Sequence, residues 1–135
     1  MRVALVSRDE VYPLHGGGIG QFVTAAARLL SRVAEVTIFT TSLLQGSYEQ
    51  LRAAGDPRLP GEEVRMVFVP EPTVEEAGAW YHVMHCYGAR VFECLQESYP
   101  DGGPDLIEFP DFLGEGFVTL QAAGALDPFL ADTRM

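Results

Sequence analysis

A run of glycines carries the chemistry this chain could do most directly. Gly16-Gly17-Gly18-Ile19-Gly20 follows a polar loop and opens a segment with helical periodicity. The first turn of a helix has backbone N–H groups without a partner in the helix, together with a partial positive charge. That combination suits a phosphate or another anion. Glycines let such a ligand approach the main chain with no Cβ in the way, and three in succession cost backbone entropy that a plain turn would not need. His15, immediately before them, could add a hydrogen bond from its imidazole. The expected anion-binding set is His15, Gly16, Gly17 and Gly18.

A second group of residues suits hydroxyl-bearing ligands. Glu108, Asp111 and Glu115 follow an apolar run near the other end of the chain. Beyond the carboxyl end of a strand, where open α/β sheets bind ligands, such carboxylates could accept hydrogen bonds from hydroxyls. The competing reading is a helix cap with solvated acids. A glycosidase pair fits less well, because the three lie close together in sequence and share the chain with the glycine loop. Arg8, Asp9 and Glu10 precede the glycines in the same loop, and Asp9 is a further candidate for contact with the hydroxyl-bearing ligand. His82 and Cys86 have helical i, i+4 spacing with His85 nearby, but no third or fourth ligand stands out and no metal is expected. Trp80, Tyr81 and Tyr87 are expected to pack rather than to form a sugar-stacking platform.

The elements needed to hold these groups can be read from periodicity. Val3-Ala4-Leu5-Val6 is a short apolar run, as expected of a parallel strand covered on both faces. Phe22, Val23, Ala26, Leu29, Leu30 and Val33 then keep near-helical spacing and predict a helix that packs back onto the sheet. Further strands are expected at Glu35 to Thr41, Val64 to Val69 and Asp105 to Phe109, with a short helix from Leu44 to Ala54. Thr73 is placed to cap a long helix with Glu75 and Glu76 in its first turn, and Ala77, Trp80, Met84, Tyr87, Val91 and Leu95 extend the periodicity for about five turns. A last helix is expected from about Gly114 to Ala125, and Ala131 to Met135 resembles the lead-in to a fifth strand. Alternation of this kind predicts a Rossmann-like, doubly wound parallel α/β sheet in a single domain spanning residues 1–135. A sheet lacking its next strand would leave an edge open to self-association, so the chain reads as the amino-terminal piece of a longer protein.

Composition narrows the partners. The chain has 135 residues, 47% of them apolar and 21% charged, which is the balance of a globular domain. A net charge of -10 argues against nucleic acid as the main partner, although a few amides could still hold a nucleotide. All nine basic residues are Arg, so no lysine chemistry is available. Cys86 and Cys94 are eight apart on a predicted helix, roughly 12 Å by helical rise and too far for a disulfide. A reducing cytoplasm follows, with the protein either free or peripheral at the inner membrane surface. No apolar run reaches the length of a membrane span.

The glycine loop departs from the commoner nucleotide motifs. In a Gly-x-Gly-x-x-Gly reading, Gln21 or Val23 would occupy the third glycine position, and the second strand ends in Thr40-Thr41 rather than an acid for a ribose. NAD is therefore disfavoured, and a P-loop is excluded because no Gly-Lys-Ser/Thr is present.

Val6-Ser7-x-Asp9-Glu10-x-x-Pro13-x-His15-Gly16-Gly17-Gly18-Ile19-Gly20 resembles the opening of retaining GT-B glycosyltransferases, the group of the glycogen and starch synthases. Pro104-Asp105-Leu106-Ile107-Glu108-Phe109-Pro110-Asp111-Phe112-x-Gly114-Glu115-Gly116 is similar to the fourth-strand segment of the family 4 members. Residues 43–99 carry little of the likeness. The resemblance implies the acceptor-side half of a two-domain enzyme whose carboxy-terminal domain, outside these residues, holds most of a nucleoside-diphosphate-sugar donor. By the same resemblance Gly17 and Gly18 present amides to the donor diphosphate, with Gly16 and His15 beside them. His15 falls where glycogen synthases place a phosphate-contacting lysine and would give a hydrogen bond instead. Glu108, Asp111, Glu115 and Asp9 remain acceptor-binding candidates, and no catalytic side chain is assigned. Retention of configuration, independence of metal and cofactor, and inactivity of these 135 residues alone are likewise implied only by the family. Rivals are a flavodoxin-like nucleotide-binding domain that does no chemistry and another GT-B enzyme such as a nucleotide-sugar epimerase.

Overall fold

A computed structural model describes residues 1–8, 11–110 and 114–135. Its centre is β1 (Arg2–Val6), paired in parallel with β2 (Glu35–Thr41) on one side and β4 (Leu106–Glu108) on the other. The outer strand β3 (Arg65–Val69) pairs with β2, so the order is β3-β2-β1-β4 with every pairing parallel. The expected parallel α/β sheet is therefore present.

Period-two alternation sends successive side chains to opposite faces, and both faces are covered. Val3, Leu5, Val36 and Ile38 meet Val23 and Ala27 of α1 (Gly18–Leu30). Ala4, Val6, Phe39 and Ile107 meet the other layer, built from α4 (Val83–Ser98) with α5 (Phe117–Gly124) beside it. On α4 the buried positions Met84, Tyr87, Val91 and Leu95 follow the three-four-four spacing of one helical face. Val3, Val6, Ile38 and Ile107 are at most 1% exposed, which is worth about 1.5–3 kcal/mol for each side chain.

Several expectations are corrected. Phe22, Leu29 and Val33 do not pack on the sheet: they are exposed, and Val23, Thr24 and Ala27 form the buried stripe. Thr24 is tolerated there because its hydroxyl donates to the Tyr12 carbonyl at 2.8 Å. The single long helix after Thr73 is two helices. Thr73 and Glu76 make a reciprocal capping box that starts α3 (Val74–Gly78), which ends after little more than a turn. His82 then takes an extended backbone, and its Nδ1 accepts the Met84 N–H at 3.2 Å, so it begins α4 as a cap. The last helix starts at Phe117, three residues later than expected, after a turn in which Gly114 has φ +80°. A 3-10 turn at Ser42–Leu44 leads into α2 (Gln45–Ala53).

At the β4 edge, Arg134 makes an isolated parallel bridge with Leu106: its N–H donates to the Asp105 carbonyl at 3.0 Å, and its carbonyl accepts from Ile107 at 2.8 Å. The expected fifth-strand lead-in therefore pairs with the sheet at one residue. Cys86 and Cys94 are both free thiols, and burial pushes the pKa of each upward. No helix among the described residues is long and apolar enough to cross a membrane.

Three carboxylates tie the stability to pH. The Arg58 side chain, hydrogen-bonded to Asp56, pulls that carboxyl down to about 2. Glu76 is lowered chiefly by the Thr73 backbone N–H, and Asp105 by the Arg2 backbone N–H. A folded-state pKa below the unfolded one adds stability that is complete above the unfolded value and lost as pH falls through the folded value. Thermal melts should thus be flat near neutrality and fall as pH drops from about 4.5 towards about 2, with Asp56→Asn flattening the most acidic part of the slope. A midpoint unchanged down to pH of about 2 would contradict these assignments.

Candidate functional site

The strand order places the site. From β1 the chain moves outward through β2 to β3, then returns to lay β4 on the other side of β1. The direction of winding reverses between β1 and β4, and at such a reversal the connections leaving neighbouring carboxyl ends diverge and open a crevice. The segments leaving β1 and β4 are those that carry the glycine run and Glu115.

The loop after β1 is folded against the start of α1. Val11 is fully buried, and its carbonyl accepts the His15 N–H at 3.0 Å. Tyr12 N–H donates to Gly20 O at 3.3 Å, so the loop is held to the first helical turn from both sides of the glycine run. Gly17 is the N-cap of α1 in extended backbone, with no side chain capping it. Among the described residues no acceptor is bonded to the N–H of Gly17 or Gly18. Gly16 and Gly18 are exposed, with no atom within 4 Å of where a Cβ would stand. His15 is exposed beside them.

Arg8 connects this loop to the rest of the edge. Its backbone N–H donates to Glu115 Oε1 at 3.1 Å, and its carbonyl accepts from the Thr40 hydroxyl at 2.8 Å and the Thr41 N–H at 3.0 Å. Its guanidinium is bidentate on Glu71, with Nε to Oε1 at 3.2 Å and Nη2 to Oε2 at 2.7 Å. The same guanidinium lies 5.3 Å from the centre of the fully buried Tyr87 ring. Thr41 completes the group by donating to Glu71 Oε1 at 2.5 Å. The ends of β1, β2 and β3 and the turn before α5 are thereby tied together, and the bonds to the Glu71 and Glu115 carboxylates are charge-assisted, a class shorter and stronger than neutral ones.

Of the acidic candidates, Glu108 is exposed at the end of β4, as a ligand contact requires. Glu115 is 2% exposed and its carboxylate holds the Arg8 backbone, so it is neither a solvated acid nor a helix cap. Asp9 and Asp111 lie outside the described residues. Glu71, Thr40 and Thr41 were missed by sequence reasoning. Their signal was position alone, since each stands at or just past the carboxyl end of a strand, the criterion that singled out Glu108.

Trp80 and Tyr81 contradict the packing expectation: Trp80 is 42% exposed and Tyr81 96%, whereas Tyr87 is fully buried as expected. Among the described residues no group of three metal-ligating side chains converges. His82 uses Nδ1 as a cap, and Cys86 is 4% exposed. A cavity of about 400 Å³ lies at the opposite, amino end of the strands, lined by Arg2, Thr37, Arg65 and Tyr99 among others, away from every sequence candidate.

What the edge can do chemically is bind an anion on the Gly17 and Gly18 amides while a hydroxyl-bearing molecule approaches Glu108. Set against protein-family models, curated proteins and solved structures, the chain gives no match.

Proposed function

We propose that this chain is the acceptor-side α/β half of a GT-B, family 4 type glycosyltransferase, moving a sugar from a nucleoside diphosphate to an acceptor hydroxyl. The observation that carries the reading is the 3.1 Å bond between the Arg8 N–H and Glu115 Oε1. It joins the two segments that resemble that family, 107 residues apart, at the point where the sheet reverses its winding.

In the transfer the bond from the sugar's anomeric carbon to the diphosphate breaks, and one to the acceptor oxygen forms. Negative charge grows on the departing diphosphate. Amides already fixed at the start of α1 meet that charge without reorganising, a preorganised electrostatic contribution. Glu108 accepts a hydrogen bond from the acceptor. The acceptor's hydroxyl proton passes to the departing phosphate, as the family resemblance implies, and no side chain of this chain acts as acid or base. The remaining donor contacts belong to the second domain, so these residues alone bind nucleotide weakly and do not turn over.

Gly18→Pro tests the amides cleanly. Gly18 is the first residue of α1, where proline removes an N–H that the helix does not use and supplies a suitable φ. Titrating the chain with UDP, ADP and GDP should move the backbone NMR signals of Gly16 to Gly18 for at least one of them. Gly18→Pro should weaken that binding by about tenfold or more, the effect of one hydrogen bond to a charged group, at a melting temperature no lower than that of the parent chain. Nucleotide shifts centred elsewhere would overturn the reading. Tight micromolar binding by the chain alone would favour the nucleotide-binding domain without chemistry.

A further inference from the structure

The cavity of about 400 Å³ at the amino end of the sheet takes no part in the site described above. Three strands begin on it: Arg2 opens β1, Glu35 to Thr37 open β2 and Arg65 opens β3, and the turn after α4 closes it with Tyr99 to Asp101. The volume falls within the roughly 300–1,000 Å³ of small-molecule sites. Val36, Thr37 and Tyr99 are buried, whereas Glu35, Glu63, Arg65 and Asp101 are exposed, so the cavity has an uncharged floor and a charged rim.

The charges around it are of both signs and do not neutralise one another. Among the described residues neither Arg2 nor Arg65 makes an ion pair with Glu35, Glu63 or Asp101. Arg2 is fixed by the backbone instead: its Nη1 and Nη2 donate to the Gly102 and Gly103 carbonyls at 3.3 and 2.7 Å. Its guanidinium lies 5.6 Å from the centre of the Tyr99 ring. Among the described residues no hydrogen bond engages the Arg65 guanidinium or the carboxylate of Glu35. Lower down, the Tyr99 hydroxyl is buried without a well-formed hydrogen bond, with the Thr37 side chain beside it. Burial pushes the phenol's pKa up, Thr37, Arg65 and Arg2 pull it down and Glu35 raises it, so charges of both signs surround one ring. Buried polar atoms are rarely left so in a folded interior.

We propose that this cavity binds a free α-amino acid with an apolar side chain, its carboxylate on the Arg2 and Arg65 guanidiniums and its ammonium facing Glu35, Glu63 and Asp101. The guanidinium fork matches the two oxygens of a carboxylate, and an ammonium has three N–H donors to share among acids. A plain anion is opposed by three carboxylates, and a plain cation by two guanidiniums. A molecule carrying both charges, a bond or two apart, satisfies both sets. Val36, Pro100 and the Tyr99 ring give the uncharged wall for its side chain. The site is independent of the transferase reading, because it shares no residue with the glycine run or with the Arg8–Glu115 contact.

The test is backbone NMR of the 135-residue chain titrated with L-phenylalanine and with L-leucine. At least one should move the amide signals of Val36, Thr37 and Tyr99 saturably at millimolar concentration or below. The analogues that lack one charge should bind about tenfold or more weakly than the amino acid: 3-phenylpropionate and phenethylamine for phenylalanine, 4-methylpentanoate and 3-methylbutylamine for leucine. Arg65→Gln and Glu35→Gln should each weaken the amino acid by a similar factor. Both side chains are exposed, so the melting temperature should hardly change. Arg52→Gln removes an exposed arginine that does not line this cavity and alters the net charge as Arg65→Gln does, yet it should leave the titration as it was. The absence of saturable shifts with either amino acid overturns the proposal. So does an analogue of single charge that binds as tightly as its amino acid, which would mean that only one set of charges is used. Equal affinity in the parent chain and Arg65→Gln overturns it as well.

Discussion

Tyr87→Ala should cost about 3–5 kcal/mol of folding stability, enough to lower the melting temperature by roughly 10–20 °C. Tyr87 is fully buried and belongs to the cluster where α4 meets Ala4, Val6 and Phe39 of the sheet. Cutting it back to Ala removes the transfer energy of the ring and leaves a cavity between a helix and a sheet that cannot both collapse into it. The damage should reach the candidate site as well. The ring is the apolar floor under the Arg8 guanidinium, and its loss frees the Arg8–Glu71 pair to move. Denaturant unfolding would measure the first effect. For the second, amide hydrogen exchange at Arg8 and Thr41 should accelerate beyond what the global destabilisation accounts for. A stability change under about 1 kcal/mol would mean that α4 does not pack as described.

The parts of this fold that were legible share one property: the signal is local. The run of β1 states its own burial because a strand covered on both faces must be apolar at almost every position, whereas β2 declares itself a strand through its β-branched residues and buries Thr37, Thr40 and Thr41 along with its apolar ones. Thr73 with Glu76 announces a helix start through a capping interaction completed within four residues. The glycine run marks the start of α1 for the same reason. What sequence reasoning missed depends on distant partners. The apolar spacing from Ala77 to Leu95 is continuous, yet the helix stops at Gly78, because His82 can cap Met84 and α4 is oriented by the sheet beneath it. On α1 the apolar residues are spread around the helix, and periodicity alone could not say that Val23 and Ala27 face the sheet while Phe22 and Leu29 face water. Glu115 is the clearest case. Its burial follows from a hydrogen bond to Arg8, 107 residues away, and no pattern around it in the sequence predicts that. The candidate site was thus legible as a set of segments and illegible as a set of contacts.

The same contrast between local space and distant contact predicts which glycines are replaceable. Gly103→Ala should destabilise the fold by about 2–3 kcal/mol, the combined effect of overpacking and a weakened hydrogen bond. A Cβ there would stand 2.5 Å from Thr133 Oγ1 and 2.7 Å from the Phe129 carbonyl. A threonine hydroxyl can rotate away, but the Phe129 carbonyl is backbone and accepts the Gly103 N–H at 2.7 Å. Relieving the clash must lengthen that bond. Gly103 is held from its other end too, since its carbonyl accepts from Arg2 Nη2 at 2.7 Å, so it cannot simply shift. The strain should therefore pass into the segment from Phe129 to Arg134 and loosen the single bridge between Arg134 and Leu106. Hydrogen exchange at Ile107, whose N–H donates to the Arg134 carbonyl, should speed up ahead of that in β2. Gly46→Ala is the matched control: it sits within α2 with nothing within 4 Å of its Cβ position, and the change should stabilise by about 0.5–1 kcal/mol. Equal effects at the two positions would show that backbone propensity alone, and not the contact with Phe129, sets the response at Gly103.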